Sequence, residues 1–152
     1  MLLLLLYTMI NRKIDKYLKD FFSKDKNKAL LVTGARQIGK TYIVRKFGEE
    51  NYESFIEVNF VREPDFKSVF SGNLNADVIR AGISAIRRDV SFVDGKTLLF
   101  LDEIQDCPNA RTAFKFLAED RRMDVIASGS LLGIKYKSKK KREENEPRSI
   151  PV

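Results

Sequence analysis

Histidine is missing from these 152 residues altogether, and cysteine occurs once. Without histidine the commonest ligand of a structural or catalytic zinc is gone. The lone Cys107 cannot close an intramolecular disulfide, and no imidazole exists to activate it as a nucleophile. A reducing, cytoplasmic setting is the expectation. Cys107 precedes Pro108 at an expected helix start and reads as a small buried or capping residue. Long apolar runs are also absent. The opening stretch from Met1 to Ile10 is too short to span a bilayer, has no basic region before it, and has no small-residue cleavage site after it. Neither export nor a membrane span is expected. Met9 offers an alternative start that leaves an amphipathic helix from Ile10 to Phe22, with Ile14, Tyr17, Leu18, Phe21 and Phe22 on one face.

What is present suits one compact domain. With 43% hydrophobic and 32% charged residues, the chain has material for both a core and a solvated surface. The formal charge of +7 is concentrated: residues 135–142 carry six positive charges, leaving only +1 for the rest. Such a tract can neutralise phosphates of DNA or RNA without reading sequence. With Glu143, Glu144, Glu146 and Pro147 following it, it also reads as a solvated, flexible stretch.

Chemistry concentrates in two places. Residues 34–41, comprising Gly34, Ala35, Arg36, Gln37, Ile38, Gly39, Lys40 and Thr41, form a complete GxxxxGK[ST] pattern. A backbone that wraps a triphosphate with consecutive N–H groups pointing inward needs small residues, and glycine tolerates the positive φ angles involved. Lys40 places a compact cation against the β- and γ-phosphates, and the Thr41 hydroxyl suits Mg2+. The apolar run Ala29 to Thr33 precedes the loop as a strand, and Ile43, Val44 and Phe47 recur at helical spacing before Gly48. A helix starting there would aim its N-terminus at the anion.

The second place is Thr97 to Glu103, a near-continuous apolar run ending in two carboxylates, as at the C-terminal tip of a central parallel strand. Asp102 is placed to hold Mg2+, through water, and Glu103 to orient or deprotonate a water attacking the γ-phosphate. A third apolar run, from Met123, ends in Ser128, Gly129 and Ser130. Either serine could hydrogen-bond the attacking water or the γ-phosphate, or the sequence could simply be a turn that ends a strand. The helix before this run has Ala110, Ala113, Phe114 and Leu117 on one face.

Between the two motifs, Ile56, Val58 and Phe60 alternate as in a strand, and Pro64 opens a helix carrying Phe66, Val69 and Phe70. A further helix over residues 75–88 puts Ile79, Ile83 and Ile86 on one face, and Asp94-Gly95 is a turn. Strands alternate with helices throughout, which implies an α/β fold with a parallel sheet and right-handed crossovers.

The stretches Val32 to Thr41, Leu101-Asp-Glu-Ile-Gln105, Ala127-Ser-Gly-Ser-Leu-Leu132 and Ser149-Ile-Pro-Val152 together resemble a prokaryotic group of AAA-type P-loop ATPases. The resemblance implies a three-layer core with a mainly parallel sheet, the phosphate-loop strand central, and the strand ending in Ser128 inserted beside it. It implies ATP and Mg2+ as ligands, with Thr41 and Asp102 at the metal, Glu103 and Lys40 as catalytic residues, and Ser128 or Ser130 at the sensor position. Such proteins usually continue into a fifth strand, a lid and a C-terminal domain. With those missing here, and with them the arginine finger and second sensor, slow turnover and a truncated product are expected; Arg111, Arg121 and Arg122 are expected to face solvent. The expected divisions are an N-terminal segment and helix over 1–22, a nucleotide-binding core over 23–134, and a basic, flexible segment over 135–152. The alternative function is a non-catalytic nucleotide-binding remnant that docks nucleic acid or a protein through its basic tract. A homo-oligomer is a further expectation.

Overall fold

The computed structural model describes residues 13–23, 29–34, 39–130 and 148–151. Helix α1 covers residues 13–23, followed by β1 (Ala29–Gly34), α2 (Lys40–Asn51) and β2 (Ser54–Asn59). A 3-10 helix (Pro64–Phe70) and α3 (Ala76–Ile86) lead to β3 (Thr97–Asp102), a 3-10 turn (Ile104–Asp106), α4 (Pro108–Glu119), β4 (Met123–Ser130) and β5 (Arg148–Pro151). All pairings are parallel, in the order β2-β3-β4-β1-β5.

The layers follow from side-chain parity. Every residue of β3 is buried, and successive residues point to opposite faces. Leu98 and Phe100 join Leu30, Val32 and Ile126 in one core against α1 and α2, through Leu18, Phe22, Val44 and Phe47. Leu99 and Leu101 join Val58, Val125 and Ala127 in a second core against α3 and α4, through Ile79, Ile83, Ala113 and Leu117. The result is a three-layer α/β fold. Its near-continuous apolar strands are those of a sheet covered on both sides.

As expected, β4 lies between β1 and β3, and β1 is interior. The expectation of a missing fifth strand is corrected: Arg148–Pro151 pairs with β1 in the register Leu30↔Arg148 to Thr33↔Pro151. Four residues assigned to a flexible segment therefore complete the sheet, whereas the basic tract at 135–142 lies outside the described residues. The segment carrying Phe66, Val69 and Phe70 is a 3-10 rather than an α-helix, and Ile86, the last residue of α3, is 43% exposed instead of sharing the buried face. Cys107 is buried at the N-terminal boundary of α4. The residues around Met9 lie outside the described residues. Among the described residues, no helix is long and apolar enough to cross a membrane.

Gly48 does not stop α2, which runs on to Asn51. Its reason is close approach: a Cβ there would run into the Phe55 ring, meeting Cδ2 and lying 2.6 Å from Cε2. Gly48→Ala gains helix propensity, but Phe55 must move out of the core beside α2. A net loss of about 1 kcal/mol is expected in chemical denaturation; a stabilised variant would show that the ring yields freely.

Candidate functional site

Parallel strands end at the same edge of a sheet, so polar residues that close apolar runs collect there. Here the register does the selecting. Asn59 at the end of β2 pairs with Asp102 at the end of β3, and Leu101 pairs with Ala127, which puts Ser128 beside Asp102 on the other side. Asn59 Nδ2 donates to Asp102 Oδ2 at 2.9 Å. Thr41 Oγ1, in the first turn of α2, donates to the same oxygen at 2.9 Å. Ser128 Oγ donates to Asp102 Oδ1, and the Glu103 N–H donates to that oxygen at 3.1 Å. Four donors saturate the carboxylate, which is itself 3% exposed.

Lys40, the first residue of α2, is buried and donates from Nζ to the Gly34 carbonyl at 3.2 Å. Burial pushes its ammonium below the usual lysine range, against the opposing pull of the Glu103 and Asp102 carboxylates. Gly39, just before it, has φ 84°, a left-handed conformation that explains glycine at this position. Ala35, Arg36, Gln37 and Ile38 lie outside the described residues.

Glu103 is the only described non-glycine residue at positive φ, with φ 56° and ψ 45°. Its position one residue past the strand takes it off the sheet and into the turn of Ile104–Asp106. This backbone costs an L-residue with a Cβ about 1 kcal/mol. Glu103→Gly is therefore expected to exceed Glu103→Ala in stability by about 1 kcal/mol. Equal denaturation midpoints for the two variants would deny the strain.

Of the two serines, Ser128 meets Asp102, while Ser130 pairs across the sheet with Gly34. Sequence reading missed Asn59. In the sequence it is one polar position between Val58 and Phe60 of an alternating strand, and its pairing with Asp102 at the strand end is what singles it out. Arg111 and Arg121 are exposed, but Arg122 is not simply solvated: it pairs with Asp77 at 2.7 Å and Asp120 at 2.6 Å, away from the acidic tip.

Thr41 and Asp102 offer hard oxygen donors in contact with each other, and no group of three or more acidic, histidine or cysteine residues able to hold a metal occurs among the described residues. That donor set fits Mg2+, which keeps several waters and takes substrate phosphate oxygens instead of an all-protein cage.

The family model described as an AAA domain matches residues 26–149. This chain belongs to the AAA domain family. No curated protein matches the AAA chain. Among solved structures it is similar to C. elegans PCH-2, at 12% identity over 96% of this chain and 42% of that chain, with a TM-score of 0.48. It is also similar to the Aeropyrum pernix ORC1 protein in complex with DNA, at 15% identity over 81% of this chain and 38% of that one, TM-score 0.48. Drosophila ORC bound to DNA matches at 14% identity over 82% of this chain and 38% of that one, TM-score 0.50. At such identities the likeness concerns the fold alone. The AAA chain spans well under half the length of each of these proteins.

Proposed function

We propose that this AAA domain binds Mg-ATP and hydrolyses it. The observation that carries the reading is the convergence on Asp102 of Thr41, Asn59 and Ser128 from three separate elements, with Glu103 next in sequence and Lys40 buried at the start of α2. Lys40 leaves the Gly34 carbonyl for the β- and γ-phosphate oxygens, where a triphosphate compensates for its desolvated charge. Thr41 and Asp102 would hold Mg2+, Asp102 through a metal-bound water that takes the place of one of its present donors. Bound there, the metal would supply neutralisation of the charge on the transferring phosphate. Water attacks the γ-phosphorus as the bond to the β,γ-bridging oxygen breaks, and its proton passes to the Glu103 carboxylate. Ser128, fixed against Asp102, stands beside the phosphate end of the site as a hydrogen-bonding sensor. Adenine as the base is supported by family membership.

The test is thermal stability with ATP, with and without Mg2+, alongside steady-state phosphate release. A rise in Tm that needs both ligands, together with slow release, is expected. No Mg-ATP-dependent shift would sink the binding claim; a shift without release would leave a nucleotide-binding remnant.

A further inference from the structure

Gln105 stands in the middle of the turn after β3. Its Nε2 donates to Glu103 Oε2, and to Asp106 Oδ2 at 3.1 Å. Its Oε1 is buried without a hydrogen-bond partner, a state shared among the described side chains only by Arg80 Nη1. Chemistry fixes the orientation of the amide. Ionised carboxylates only accept, so the nitrogen must face both of them and the carbonyl oxygen must point away. A buried carbonyl oxygen left without a donor weakens the fold. A local arrangement that works against stability beside a functional carboxylate is where a contact serving another purpose is expected.

For Glu103 the contact has a geometric effect. Its backbone is held by the donation from its N–H to Asp102 and by the Asp106 N–H bonded to its own carbonyl at 2.9 Å. The side chain would still rotate at its terminal carboxylate. Gln105 takes one of the two oxygens and so fixes the direction of the other. Catalytic groups must be held to within roughly 0.5 Å and 10–20° of productive geometry by neighbours that are themselves fixed.

We infer that Gln105 is a positioning residue for Glu103, its amide pinning one carboxylate oxygen so that the other is presented to the attacking water. This rests on the proposed hydrolysis with Glu103 as base. In the full chain, Gln105→Met keeps the length of the side chain and removes the amide. It is expected to lower kcat about tenfold while leaving KM for ATP unchanged. Its Tm should equal or exceed that of the wild type, because the orphaned carbonyl is gone. Gln105→Ala, measured in parallel, should show the same loss of kcat without a change in KM. In a Glu103→Gln background, adding Gln105→Met should cost nothing more, since two residues acting as one unit are not additive.

Wild-type kcat in both Gln105 variants overturns the inference. So do equal fold-losses in the two backgrounds, or a fall in Tm with a matching rise in KM, which marks a purely structural role. Absence of phosphate release from the wild type, or wild-type turnover in Glu103→Gln, removes the hydrolytic reading itself and the inference with it.

Discussion

Glu103→Gln is expected to bind Mg-ATP as the wild type does and to turn it over about 10²- to 10⁴-fold more slowly, the range attributed to a positioned general base. The substitution is close to isosteric. The backbone of residue 103 stays anchored through its N–H to Asp102, and a glutamine carbonyl can still accept from Gln105. What disappears is the capacity to take a proton. Binding by calorimetry and phosphate release under single-turnover conditions separate the two effects. Equal single-turnover rates in variant and wild type would falsify the assignment of Glu103 as base.

Lys40→Ala is expected to weaken Mg-ATP binding by about 100-fold or more, the loss of roughly 3 kcal/mol of charge-assisted hydrogen bonding. In the free protein this ammonium is buried and donates to the Gly34 carbonyl. Burial already works against its charge, so truncation is not expected to unfold the domain. The Mg-ATP-dependent rise in Tm should vanish while the ligand-free Tm stays near that of the wild type. A variant retaining the full shift would remove the phosphate-loop reading.

Both variants address residues that were legible in the sequence, for a physical reason. A charged group directly after a fully apolar run, as at Asp102, has few stable places except a strand tip, and two glycines leading into a lysine mark a backbone that must approach an anion. β1, β3 and β4 were readable because strands covered on both faces become continuous apolar runs. Choosing between Ser128 and Ser130 was beyond the sequence. Two residues apart on one strand, they share a face, and only the pairing of Leu101 with Ala127 singles out Ser128. Asn59 reaches the site through the pairing of β2 with β3, and no local pattern encodes which strands become neighbours. The positive φ of Glu103 and the closeness of Gly48 to Phe55 are likewise set by the turn and by tertiary packing. β5 was invisible because Arg148–Pro151 has no apolar run of its own; the bonds to β1 make it a strand.

That last pairing bears on how the domain is made. β1 precedes every other strand in the chain, yet its two sheet neighbours are β4 and β5, the last two in order. During synthesis, β2 and β3 can pair as soon as β3 has emerged, because they are consecutive strands and neighbours in the sheet. The phosphate-loop strand emerges first and must wait, unpaired, until most of the described chain has followed. Contacts so distant in sequence are slow to form because the loop they close is long. The proposed nucleotide site, whose Lys40 and Thr41 open the helix after β1, is therefore among the last parts of this AAA domain to assemble.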